Sequence, residues 1–261
     1  MNRKFLPLIS KSRMLKSLSS LLLVATSLFL VSCEKGDFFD FAKRTGKTVT
    51  IIRPIDENFT QIYINDDVNL VITQGTPYNI KLEGGENLLP GIETSISDSI
   101  LTIRNNNTYN WLRSYNDKIT AYVTLPHLLE LRYKATSTVT NTDTIREDSL
   151  TVISIGGSGY INLTIRTGIS KLYTTNGSVD MNIKGKTGLN FIFLGAYGAF
   201  HCLDLKSPFL YIRNAGTNDC YVNVLHHLEY EISGLGNIYY QGNPPEISGK
   251  VTSSGKLIKY D

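Results

Sequence analysis

The chain has 261 residues, with 26 Lys and Arg against 23 Asp and Glu, a formal net charge of +3. Five of those cations, Arg3, Lys4, Lys11, Arg13 and Lys16, precede the first acidic residue, so beyond residue 32 the charge falls from +3 to about −2. Well-mixed charge of that size excludes the basic face of a nucleic-acid binder, and abundant Thr, Ile, Val and Tyr with sparse Pro is a β composition.

The basic start runs into an apolar stretch from Leu18 to Val31, too short and too soon followed by polar residues for a stable membrane span. It ends in Leu30-Val31-Ser32-Cys33, which reads as a lipobox. Only a thiolate accepts the diacylglyceryl group there, after which cleavage frees the Cys33 amine for a further acyl chain. Residues 1–32 are therefore expected to be a lipoprotein signal peptide, with Met14 an alternative start to Met1. The rival is an ordinary cleaved signal with an incidental cysteine. Each buried CH2 of an acyl chain contributes about 0.8 kcal/mol, so several chains hold a protein on a membrane without spanning it. Glu34 rather than Asp follows the cysteine, which favours the outer membrane of a Gram-negative cell and leaves periplasmic and surface-facing orientations open.

Residues 33–48 read as a lipidated tether, unusual in its Phe38-Phe39-Asp40-Phe41 cluster. From Thr48 to Val123 the pattern is strand, turn, strand. Ile62 and Ile64, then Val68, Leu70 and Ile72, then Ile80 and Leu82 alternate with polar neighbours, as half-buried strands do. Ile92, Thr94 and Ile96 precede Ile100-Leu101-Thr102-Ile103. No window shows a 3.6-residue stripe. Trp111 lies in Tyr109-Asn110-Trp111-Leu112-Arg113-Ser114-Tyr115; Trp111, Arg113 and Tyr115 are either a ligand contact or a plug for an open end of the fold.

From Leu129 onward the chain repeats: an apolar strand, a glycine-containing turn, a second short strand. With Gly159, Gly177, Gly198, Gly216 and Gly236 as markers, the steps are 18, 21, 18 and 20. Leu131 to Val139 is an earlier, glycine-free copy. A near-constant period of about twenty predicts stacked coils, a β-solenoid, with a β-sandwich as the rival. Glycine is needed where the chain turns with φ > 0 or where successive turns stack backbone on backbone. The inward positions after each marker are Ile161 and Leu163, Val179 and Met181, Phe200 and Cys202, Asn218 and Cys220, Ile238 and Tyr240. Asn218 fits this series poorly, and Leu203-Asp204-Leu205 breaks the alternation, which predicts a bulge or another register there.

The segment Ser233-Gly234-Leu235-Gly236-Asn237-Ile238-Tyr239-Tyr240-Gln241-Gly242-Asn243-Pro244, followed by Ser253-Ser254-Gly255-Lys256-Leu257, closely resembles the closing motif of the bacterial family called putative auto-transporter adhesin, head GIN domain. Phe59-Thr60-Gln61-Ile62, Val68 to Gly75 and Gly85-Glu86-Asn87-Leu88-Leu89 also resemble it, so the likeness runs from about Phe59 to Lys259. It departs where the early coil lacks Gly-Ser-Gly and where Asn218-Asp219 replaces an apolar residue. The resemblance implies a right-handed parallel β-helix, often on a lipid anchor, and supplies no catalytic activity; residues 49–261 are expected to form a single domain of this kind.

Third after each marker come Asn162, Asp180, His201, Asp219 and Tyr239, so coils in register would ladder Asp180, His201 and Asp219 about 4.8 Å apart. Such a ladder could bind a cation or serve as acid and base in a polysaccharide-active enzyme of the pectinase type. Against it, Asp and Asn beside Gly are turn formers that bond backbone. His127, His226 and His227 lack partners at metal-ligand spacing and read as surface or loop residues. Gly156-Gly157-Ser158-Gly159 lacks the Lys and helix of a phosphate loop. No cofactor motif, metal set or catalytic set is expected. Cys202 and Cys220, separated by one coil of the repeat, would sit at equivalent inward positions, as a disulfide or as two buried thiols. The resulting expectation is a non-catalytic envelope lipoprotein, adhesin-like, binding an envelope protein or glycan; the alternative is the pectinase-type enzyme.

Overall fold

The computed structural model describes residues 45–107 and 118–260. Strands within them are β1 (Thr48–Arg53), β2 (Gln61–Asp66), β3 (Asn69–Gln74), β4 (Asn79–Gly85), β5 (Ile92–Ser97), β6 (Ile100–Asn105) and β7 (Thr120–Leu125). They are followed by β8 (Glu130–Ala135), β9 (Thr138–Asn141), β10 (Ile145–Thr174), β11 (Ser178–Leu194), β12 (Phe200–Asn214) and β13 (Cys220–Ile232). Last come β14 (Ile238–Gln241), β15 (Glu246–Val251) and β16 (Leu257–Lys259).

From β8 to β16 every pairing is parallel, coil upon coil, which makes a parallel β-solenoid of about six turns and excludes the sandwich. Alternating residues point inward and stack in columns. One column runs Ala121, Leu70, Val139, Ile161, Met181, Phe200, Cys220, Ile238 and Leu257, each paired with the next. All but Leu257 are fully buried. No coil buries its apolar side alone; the column does it collectively.

The order of layers differs from the order of the chain. β2 and β3 lie beneath β8 and β9, Gln61 beside Glu130 and Leu70 beside Val139, although β4 to β7 come between them in sequence. The intervening segment adds an outer layer, β6 against β2 and β7 against β3, both parallel. β4 then pairs antiparallel with both β1 and β7, and β5 pairs antiparallel with β6. These antiparallel strands cover the N-terminal end of the stack, where an open edge would otherwise present unpaired N–H and C=O groups. Arg53 ties them together: its Nη2 donates to the carbonyls of Leu89 at 3.0 Å and Ile92 at 2.8 Å.

The pairing register corrects the marker glycines. Gly159 pairs with Val179, so the residue stacked on Gly177 is Gly157. Two columns, offset by two positions, carry the glycines. Gly157, Gly177, Gly216 and Gly234 belong to one; Gly159, Gly198, Gly236 and Gly255 belong to the other. The five markers alternate between these columns, which is why their steps are uneven. The buried column itself advances by a nearly even step, from Ile161 through Met181, Phe200, Cys220 and Ile238 to Leu257. Asn218 is exposed, not inward; its coil enters the core with Cys220 and Val222 instead. Asn214, buried below, holds that turn, donating to the carbonyls of Asn218 at 3.0 Å and Asn237 at 3.2 Å.

The irregularity expected at Leu203-Asp204-Leu205 is present. Between Cys202 and Lys206, β12 carries these three as an insertion relative to β13, which continues directly from Val222 to Asn223. Such bulges re-aim side chains without breaking the sheet. Buried Asn223 stabilises this one, donating to the Leu203 carbonyl at 3.0 Å and to Gln241 Oε1 at 3.3 Å.

Candidate functional site

On either side of the buried column run two outward columns. The first begins at Asn69 and Thr138 and continues through Tyr160, Asp180, Ala199, Asp219, Asn237 and Lys256. Its Asx side chains reach one coil onward. Asn69 Oδ1 accepts the N–H of Thr138 at 3.0 Å, Asp180 that of Ala199 at 2.9 Å, Asp219 that of Asn237 at 2.7 Å and Asn237 that of Lys256 at 2.9 Å. The ladder of Asp180, His201 and Asp219 is therefore not formed. Asp180 and Asp219 share a column with Ala199 between them, while His201 lies two positions along, beside Asn182 and Tyr221. The two carboxylates are bonded to backbone, as turn-forming Asp side chains are. Among the described residues no group of three or more His, Cys, Asp or Glu is arranged to hold a metal ion.

The second column runs Asn162, Asn182, His201, Tyr221, Tyr239 and Ile258. Asn182 donates to Asn162 Oδ1 at 2.7 Å. The rings then stack: His201 on Tyr221 at 5.6 Å and 12°, Tyr221 on Tyr239 at 4.9 Å and 8°. Tyr260 stands at 87° and 89° to the last two, making an aromatic corner. Burial, with Asp219 close by, raises the Tyr221 hydroxyl above its ordinary range. Beside this column the bulge opens a groove of about 530 Å³, lined by Asn182, Lys184, His201, Leu203, Asp204, Tyr221 and Tyr260. That size falls within the roughly 300–1,000 Å³ of ordinary ligand sites. Lys184 and Asp204 face each other across 3.5 Å, both largely exposed.

A second flank carries Phe191 stacked on Tyr211 at 5.3 Å, Arg213 over Phe193 at 5.7 Å and Glu231 between Arg213 and Lys250 at 3.7 and 3.5 Å. It bounds an open depression of about 580 Å³. His127 and His226 are exposed and His227 is half-buried; His227 bonds Glu246 at 2.9 Å and His127 bonds Glu147 at 3.4 Å.

Cys202 pairs with Val222, and Cys220 with Phe200, so the cysteines are offset by two positions rather than equivalent. A diagonal of that kind spans about 7–8 Å between Cα atoms, beyond ordinary disulfide reach. Both are buried free thiols. Burial pushes the Cys202 thiol up to about 12 and raises Cys220 well above its ordinary value. Cys33, Trp111, Arg113 and Tyr115 lie outside the described residues.

Sequence reasoning missed Tyr221, Tyr260 and the Phe191–Tyr211 pair as surface features. The available signal was an aromatic at coil spacing, His201, Tyr221 and Tyr239, with the same ladder phase.

Together these features define the class: a parallel β-solenoid with one capped end and ring ladders on its flanks. The chain belongs to the bacterial family described as "Putative auto-transporter adhesin, head GIN domain", whose model matches residues 58–244. Its fold is that of a crystal structure described as a putative adhesin from Bacteroides fragilis, 17% identical, covering 82% of this chain and 97% of that one, with a TM-score of 0.73. A "putative adhesin" from Parabacteroides distasonis is similar over 82% of this chain and 98% of its own, at 16% identity and a TM-score of 0.60. A protein of the same species described as a putative lipid binding protein matches over 83% and 98%, at 16% identity and a TM-score of 0.57. No curated protein matches the sequence.

Proposed function

We propose that the protein is a non-catalytic, adhesin-like module of the bacterial envelope, held to the outer membrane by acyl chains on Cys33 and presenting its solenoid flank to a glycan or protein. The observation that carries this reading is the column of His201, Tyr221 and Tyr239 beside an open groove on a rigid stack of coils. Membership of an adhesin-named family supports it, as do the structural relatives described as adhesins. Trp111, Arg113 and Tyr115 form a further ligand contact in this reading. The pectinase-type alternative drew on Asp180, His201 and Asp219 as one ladder, and the register instead sets His201 two positions away, beside Asn182 and Tyr221. A glycan array combined with an envelope pull-down, both using the full mature chain, tests the proposal. Specific retention of a glycan or envelope protein is expected. Depolymerisation of a polysaccharide by the purified protein would overturn it.

A further inference from the structure

We infer that the groove beside the β12 bulge is a subsite for one unit of a neutral saccharide, an inference that rests on the reading of the domain as a binding module. Three features of the groove argue for this ligand chemistry. The first is the aromatic corner, where Tyr260 stands nearly perpendicular to the Tyr221–Tyr239 stack. A sugar ring carries polarised C–H groups on one face, which are drawn to the negative face of an aromatic ring. The second is charge balance. Lys184 and Asp204, the lysine and the carboxylate among the lining residues, form a pair within the groove, so it has no excess charge to attract an ionic ligand. A uronate or phosphate would also meet the Asp204 carboxylate. The third is the mixture of hydrogen-bonding groups. Lys184 donates, Asp204 accepts, and the Asn182 amide and Tyr260 hydroxyl do both. Hydroxyl groups, which themselves donate and accept, suit that set.

The bulge is what creates the subsite. The insertion in β12 places Leu203 and Asp204 beside the ring column, whereas β13 runs directly from Val222 to Asn223 at that point and has no counterpart to them. The test is calorimetric titration of the full chain with cellohexaose, mannohexaose, laminarihexaose and maltohexaose, with hexagalacturonate as the acidic comparator. At least one neutral hexasaccharide is expected to bind. Its affinity should fall tenfold or more in Tyr260→Ala and in Asp204→Asn, two exposed positions where the melting temperature serves as a folding control. Affinity for the neutral ligand should change less than twofold between about 50 mM and about 500 mM salt, since no ion pair forms with it. Failure of every neutral oligosaccharide to bind overturns the inference, as does tighter binding of hexagalacturonate. Loss of binding in Tyr211→Ala with retention in Tyr260→Ala would place the ligand on the other flank and overturn it too. In that last case, or if the pull-down captures a protein instead, the reading as a binding module stands. Absence of any ligand in titration, array and pull-down fails both.

Discussion

The carboxylate of Asp219 accepts the backbone N–H of Asn237 at 2.7 Å, bridging one coil of the solenoid to the next. Asp180 makes the equivalent bridge to Ala199, and Asn237 to Lys256. Parallel strands satisfy each other's backbone along their length, but corners leave donors unpaired, and an Asx side chain supplies the acceptor. Residues that resemble an acidic active site in sequence are thus corner fasteners in the fold.

Replacing Asp219 by Ala should lower stability by about 1–3 kcal/mol, because the Asn237 N–H loses a charged acceptor. Asp219→Asn keeps an oxygen in place and should lose less than half of that. Urea midpoints of the two variants check the ordering.

Gly177 adopts φ +86°, and a Cβ there would lie 2.2 Å from the Gly157 carbonyl oxygen. Gly177→Ala should destabilise the domain by about 2–5 kcal/mol, from the left-handed backbone and the overlap together. Gly236 has no positive φ, yet its Cβ would lie 1.9 Å from the Asn218 carbonyl oxygen, so Gly236→Ala isolates the close approach. Both variants should melt well below the parent protein in a thermal scan; an unchanged Gly236→Ala would contradict the stacking.

The thiols of Cys202 and Cys220 should resist a disulfide-exchange reagent at pH 8 in the native state and react fully after unfolding, with no cross-linked peptide in unreduced protein. Burial holds Cys202 protonated up to about pH 12, while the unfolded chain releases that proton near its ordinary value of 9. The folded state therefore binds more protons over that interval. Stability is fully present below pH 9 and falls as pH rises toward 12. Tyr133, also pushed up to about 12 by burial, acts in the same direction above its ordinary value of 10. Denaturation at pH 8 and pH 10.5 measures the slope; a rise in stability would contradict the burial of these groups.

Cys33→Ala should abolish incorporation of a clickable fatty acid and leave the precursor unprocessed by the lipoprotein signal peptidase. Undiminished labelling of that variant would remove the lipid anchor from the proposal.

Alternation of apolar and polar residues, read from the sequence alone, established that Ile161, Val179, Met181, Phe200 and Ile238 face inward, that glycine turns recur at a near-constant interval and that Leu203-Asp204-Leu205 interrupts the pattern. These are local properties of the backbone: a strand has a side-chain period of two, and a turn needs particular residues. Only the tertiary structure decided which residue stacks on which. A slip of two positions leaves every side chain on the same face, so alternation cannot distinguish Gly157 from Gly159 as the partner of Gly177. It equally cannot tell whether Cys220 lies beside Phe200 or Cys202, or whether His201 joins Asp180 or Asn182. The layer of β2 and β3 beneath β8 and β9 was just as illegible, since strands so distant along the chain are brought together by burial of a shared core and by no local signal.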